Sequence, residues 1–176
     1  MNISSDFFEI FSLSLGWEVD IDQLDIRFRK LQREFHPDRY ASKSEVEKRL
    51  AVQTAATINQ AYETLKDPLA RAQYLLELQG CDAGQESHVT SDGQFLMDQM
   101  LLREALSEVR ASAEPLDVLA SLSIEAQQKS MDLQRQFAQQ YQASAYNDAF
   151  DTVAKMQFAT KFVNDIAQLE AELEDF

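Results

Sequence analysis

The chain has 176 residues, 45% hydrophobic and 26% charged, which is the usage of a folded protein of one ordinary domain or two small ones. Four glycines, three prolines and one cysteine leave little punctuation for many short strands and no internal disulfide or cysteine-rich zinc site, so an all-α fold is expected. The net charge of −14 speaks against a general nucleic-acid or anionic-membrane binder, and it is uneven: residues 1–75 carry 10 Lys and Arg against 12 Asp and Glu, residues 76–176 carry 6 against 18.

In the first half the pattern predicts four helical segments. Ser4 or Ser5 is the expected cap of a short helix through Phe7, Phe8, Ile10 and Phe11, with Gly16 and Trp17 in the connection after it. Asp20, with Gln23 three residues on, opens a strong helix with the stripe Leu24, Phe28, Leu31 and Phe35. Arg27, Arg29, Lys30 and Arg33 are expected on its outer face. Pro37 ends that helix, because the residue before a proline is pushed out of the α region. Ser44 with Glu47 caps a long helix striped by Leu50, Thr54, Ile58, Ala61 or Tyr62, and Leu65. Asp67-Pro68 restarts the chain as cap and first-turn proline, and Gly80 is the expected stop of the helix that follows.

Residues 80–93 hold three of the four glycines and no apolar periodicity, so they read as a linker between a domain at 1–79 and another at 94–176. Three helices are expected in the second domain, near 94–112, 115–143 and 145–173, with Glu114-Pro115 at the first break. No apolar run is long enough to cross a membrane. The N-terminus MNISSDFFEI has no basic region ahead of an apolar core, so no secretory leader is expected and a reducing, cytoplasmic setting is the default.

The sharpest signal is His36-Pro37-Asp38, set between the basic helix and the long helix. Pro37 stiffens the loop and cuts the entropy lost on docking, while His36 and Asp38 offer a ring nitrogen and a carboxylate to a partner. Arg27, Arg29, Lys30 and Arg33 suit the steering of an acidic surface. A plain turn, with His36 as a local cap and Asp38 capping the next segment, is the alternative. Catalysis is not expected: His36 and His88 are the only histidines and fall in different halves, and neither has a nucleophile patterned beside it. No spacing of His, Cys or carboxylates reads as a metal site, and Cys81 reads as an inert thiol.

In the acidic half, Phe95, Leu102, Leu106 and Val109 form the stripe that buries the first helix. Leu96, Met97, Met100 and Leu101 lie on a different arc that Glu104 and Glu108 continue. An exposed Met-containing patch edged by acids suits protein binding, whereas a second stripe packed against the first domain would be buried. The middle helix is expected to bury Ile124, Met131, Leu133, Phe137 and Tyr141. The last is striped by Phe158, Phe162, Ile166, Leu169 and Leu173, with Phe158 at the edge.

The first half resembles the J-domain, the module that docks on heat-shock ATPase chaperones and triggers ATP hydrolysis. No Gly/Phe-rich tract or CxxCxGxG array follows it. Instead the segments TINQAYETLKDPLARAQYLLELQG at 57–80 and GQFLMDQMLLREAL at 93–106, with an acidic tail ending LEDF, are similar to the HscB family of J-domain co-chaperones of bacterial iron–sulfur cluster assembly. The resemblance covers essentially the whole chain. It implies a J-domain (a helical hairpin with flanking short helices) joined to a C-terminal three-helix bundle in an L-shape. It implies that the J-domain engages an HscA-type chaperone ATPase and that the C-terminal domain presents an IscU-type scaffold to it. The alternative is a J-domain adaptor that brings a different client to the same ATPase chemistry.

By that resemblance the scaffold-binding positions are Leu96, Met97, Met100, Leu101, Glu104, Glu108 and Phe158. The first six are the spare arc found from periodicity, and Phe158 comes chiefly from the family. Leu101 is apolar where the family can carry a charge, and Arg39 follows the tripeptide where many J-domains have Lys. The zinc-binding cysteine extension of some eukaryotic relatives is missing, which points to the bacterial type. The cluster rides on the scaffold, so no metal and no cofactor are expected on this chain; the acidic charge leaves no nucleic acid and no membrane among its expected partners, and without a patterned catalytic site it is not expected to be an enzyme.

Overall fold

A computed structural model describes residues 6–81 and 90–174. It divides into two compact units, Met1–Leu75 and Leu76–Phe176. Seven α-helices and no strand occur among the described residues: α1 Phe7–Ile10, α2 Ile21–Glu34, α3 Glu45–Lys66, α4 Pro68–Leu78, α5 Gly93–Glu108, α6 Pro115–Gln142 and α7 Tyr146–Glu174. The all-α expectation holds. Ser4, Ser5, His88 and most of the expected linker lie outside the described residues.

In the first unit most boundaries follow the local caps. Asp6 caps α1 by accepting from the Glu9 N–H, a role the sequence reading had placed at Ser4 or Ser5. Asp20 accepts from the Gln23 N–H at the start of α2, and Ser44 with Glu47 forms a full capping box on α3. Asp67 ends α3 and accepts from the Ala70 N–H, while Pro68 opens α4.

The helices α2 and α3 pair antiparallel. Phe28 stacks on Tyr62 with ring centroids 3.8 Å apart, and the Tyr62 hydroxyl donates to Asp25 at 2.8 Å. Lys66 donates to the Tyr62 hydroxyl and to Asp25. The hydrogen bond from Tyr62, with the Lys66 ammonium beside it, holds the Asp25 carboxyl below its usual range. Phe8, Phe11, Leu24, Ile58, Ala61 and Leu65 fill the core between the helices. Leu50, expected on the buried stripe, is instead 53% exposed, and Ala51 is buried in its place. Ala51 stands seven residues before Ile58, two full turns, whereas Leu50 falls about 100° further round.

Trp17 anchors the connection between α1 and α2. The buried Arg71 guanidinium lies 4.6 Å from its ring and donates to the Leu65 carbonyl at the end of α3. At Gly80 the backbone turns left-handed, φ +80°, and the Cys81 N–H closes back on the Leu76 carbonyl, which stops α4 as expected.

The second unit is a three-helix bundle. Pro115 occupies the first position of α6, and a short 3₁₀ turn at Val109–Ala111 precedes the break. Ser144 turns the chain between α6 and α7 with φ +57°, so the break near 143–147 is made by a non-glycine residue in the left-handed region. Leu102, Val109, Leu119, Leu122, Ala126, Phe162 and Ile166 form one core cluster. Two of the residues expected in the core of α6 are outside it: Ile124 is 70% and Met131 49% exposed. The buried set is Leu119, Leu122, Ala126, Leu133 and Phe137, spaced 3, 4, 7 and 4 residues apart. At 100° per residue Ile124 and Met131 stand more than about 100° from Leu119, on the outward side.

Candidate functional site

The His-Pro-Asp turn is a short 3₁₀ helix, Pro37–Tyr40, with the proline at its first position. Helix α2 has already ended at Glu34, and His36 is extended, the conformation a following proline selects. His36 Nδ1 accepts from the Asp38 N–H at 3.3 Å. Nδ1 is thereby engaged within the turn, which leaves Nε2 as the ring nitrogen for a partner. The ring is more than half exposed and the Asp38 side chain is 90% exposed. The local-cap role of His36 is therefore present, and it leaves both functional groups of the turn open to solvent.

Arg29, Lys30 and Arg33 are exposed along the outer side of α2. The expectation for Arg27 is corrected. It is half-buried, and its guanidinium donates to the Phe11 and Ser12 carbonyls, closing the loop after α1. Three residues beyond Leu24, it stands only about 60° from the core stripe. Arg39, the basic residue after the tripeptide, donates to the Arg33 carbonyl at 3.2 Å. Together Arg29, Arg33, His36 and Arg39 rim a 670 Å³ cavity floored by Phe35, Ala55 and Ile58 between α2 and α3. A second open cavity of 750 Å³ on α2 is lined by Ile26, Lys30, Glu34 and the same three arginines. The turn thus adjoins a cationic surface with an apolar floor, suited to an acidic partner.

On the second unit the spare arc of α5 faces solvent. Met97 is 54%, Met100 66% and Leu101 57% exposed, and Glu104 and Glu108 are exposed beyond them. Leu96 is half-buried, because it stands about 100° from Met97 at the margin of the arc. Phe158 is half-buried on α7, edge-on to Phe95 with centroids 6.1 Å apart. That contact joins it to the inward stripe of α5.

The inward stripe runs through half-buried Phe95, buried Gln99 and Leu102 and half-buried Leu106 of α5 to buried Val109 in the 3₁₀ turn, with Gln99 filling the seven-residue gap in the apolar spacing. Gln99 is buried and its Oε1 has no hydrogen-bond partner. The start of the helix is held by other means. Asp92 accepts from the Phe95 N–H as N-cap, and its second oxygen takes a 2.7 Å bond from the Lys155 ammonium on α7. The Lys155 hydrogen bond holds the Asp92 carboxyl below its usual range. Burial works against the Lys155 charge, yet its bonds to Asp92 and Asp151 outweigh it and raise its pKa. The sequence reading missed both residues. Asp92 just ahead of an apolar run is a recognisable cap, but nothing along the chain links it to Lys155.

Among the described residues no group of three or more His, Cys, Asp or Glu is placed to hold a metal ion. No described helix is long and apolar enough to cross a membrane.

Two domain families match the chain: the DnaJ domain over residues 6–74 and the HSCB C-terminal oligomerisation domain over residues 91–167. Among solved structures, chaperone HscB from Vibrio cholerae is 40% identical, with a TM-score of 0.88 over 96% of this chain and 99% of that one. Human co-chaperone HscB is 25% identical, with a TM-score of 0.86 over 95% of this chain and 83% of that one. The co-chaperone Jac1 from Saccharomyces cerevisiae is 28% identical, with a TM-score of 0.75 over 96% of this chain and 95% of that one.

Proposed function

The chain belongs to the HscB family of J-domain co-chaperones, and from that premise we propose that it serves iron–sulfur cluster assembly by coupling a scaffold protein to a chaperone ATPase. Residues 1–79 dock on an HscA-type heat-shock ATPase. Residues 94–176 hold an IscU-type scaffold, and 80–93 join the two.

The observation that carries the reading is the combination, on one chain, of an open His-Pro-Asp turn beside a cationic groove and an exposed Met-Leu arc edged by glutamates. Arg29, Lys30, Arg33 and Arg39 draw in the acidic chaperone surface, and the arc around Met97 and Met100 takes an apolar partner surface. Arg27 supports the α2 face from its edge by fixing the preceding loop. In the turn, His36 supplies a ring nitrogen and Asp38 a carboxylate from a backbone that docking does not have to order. On the second unit, Leu96, Leu101, Glu104, Glu108 and Phe158 surround the two methionines and complete the scaffold face. The cluster is cargo of the scaffold and touches no residue of this chain.

The test is steady-state ATPase of the chaperone, with and without this protein and with and without scaffold. Stimulation that grows when scaffold is added supports the reading. Stimulation indifferent to scaffold would mean a J-domain adaptor for another client, and no stimulation by a folded sample would overturn the whole. Asp38→Asn is expected to abolish stimulation while leaving scaffold binding intact. Stimulation that survives it would remove the turn from the mechanism.

A further inference from the structure

In the first two turns of α5 the aromatic contact to α7 is Phe95 edge-on to Phe158, both half-buried. Along the helix the fully buried residues are Gln99 and Leu102, and Gln99 brings an unpaired oxygen into the seam instead of a packed side chain. A polar cluster also ties this end of α5 to the bundle. Lys155 projects from α7 with its side chain only 12% exposed, and its ammonium bonds Asp92 at 2.7 Å and Asp151 at 3.2 Å. The same ammonium lies 5.7 Å from the centre of the Phe95 ring, which in turn meets Phe158 edge-on. Asp92 is braced from behind: its N–H donates to the hydroxyl of Thr90, which is 2% exposed.

Asp92 therefore has two tasks at once. One oxygen caps the helix through Phe95, and the other is held from α7. A cap alone fixes where a helix begins. A cap tethered to a neighbouring helix also fixes its rotation about its own axis, and rotation decides which side chains face a partner. We propose that Lys155 is a positioning residue for the scaffold-binding face: through Asp92 and Phe95 it sets the rotation of α5 that presents Leu96, Met97 and Met100 together. With its side chain nearly covered, Lys155 acts through α5 rather than by touching the scaffold. This inference rests on the reading of that face as the scaffold site.

Two variants separate the tether from the cap. Asp92→Asn keeps a side-chain oxygen for the Phe95 N–H, since Asn caps about as well as Asp, but gives up the charge that Lys155 holds. Lys155→Met keeps the length and covers the seam without a charge. The full chain is titrated with scaffold by calorimetry and in the chaperone ATPase assay.

Each variant is expected to weaken scaffold binding about tenfold and to raise the scaffold concentration for half-maximal stimulation to match. The plateau of stimulation and the scaffold-free stimulation are expected to stay unchanged. The double variant is expected to bind no worse than the weaker single, because both remove one tether. A merely structural role would lower the plateau and the calorimetric stoichiometry, because part of the sample would be unfolded, and would leave the half-maximal scaffold concentration where it was. Met97→Ala with Met100→Ala is the control for the face itself. If it weakens binding while Asp92→Asn does not, the positioning role is overturned and the face stands. If the methionine variant binds normally, the face and the positioning role fall together.

Discussion

Replacing Met97 and Met100 by alanine tests whether the α5 arc is a binding face or unfinished core. In the free chain Met97 is 54% and Met100 66% exposed, so truncation removes groups the fold leaves largely in water. Surface changes of this kind stay within about 0.5 kcal/mol, which moves the melting point of a unit this size by roughly 2–4 °C. Binding is affected more. Complete burial of a methionine side chain is worth about 1.5–3 kcal/mol, and the exposed half or more of each is still available to a partner. That leaves about 1 kcal/mol per residue, or about 2 kcal/mol for the pair, which is roughly thirtyfold in Kd. Calorimetric titration with scaffold and a thermal melt of the same sample read both quantities. A fall of the melting point by about 10 °C or more would show that the methionines are packed, and the reasoning from exposure would be wrong. Unchanged affinity in a folded variant would show that the scaffold binds elsewhere.

Arg27→Ala and Arg29→Ala should separate along different axes. The first removes two charge-assisted bonds to backbone carbonyls and should destabilise the N-terminal unit by about 1–3 kcal/mol, read by the fluorescence of its single Trp17 on unfolding. The second should leave that transition in place and reduce chaperone stimulation most at low salt, as expected of a steering charge. Ser144→Gly should stabilise the C-terminal unit by about 0.5–1 kcal/mol in a thermal melt, because glycine takes the left-handed turn without the Cβ clash.

Asp25 and Asp92 both titrate below the usual 3.8, so in acid the unfolded chain binds more protons than the native one. Their stabilisation is present above that value and fades as the pH falls through it toward the native values. Melting-point profiles from about pH 5 down to about pH 2 should therefore flatten in the N-terminal unit for Asp25→Asn and in the C-terminal unit for Asp92→Asn. An unchanged slope would deny the pairing with Tyr62 or with Lys155.

Much of the architecture was legible because its signals are local. Asp20, the Ser44–Glu47 box, Asp67-Pro68, Gly80 and Pro115 act on backbone groups within a few residues of themselves, and the helices begin or end at them. The spare arc of α5 was legible for a related reason. A three-helix bundle covers only part of a helix's circumference, so a second apolar arc is left over whatever the details of packing. The His-Pro-Asp turn was visible as three adjacent letters between two helices.

Other features depended on which helix comes to lie against which. Periodicity placed Arg27 among the outward cations, but residues 15 and 16 positions earlier in the chain supply the carbonyls that draw it in. Ile124 and Met131 are as apolar as Leu133 and Phe137, and only the approach of a neighbouring helix to one side of α6 separates them. Lys155 and Asp92 are 63 residues apart, a pairing no helical period can announce. A sequence specifies the faces of its helices through the 3.6-residue turn, while burial, and with it the worth of a charge or a methyl group, is fixed only when another element arrives to exclude the water.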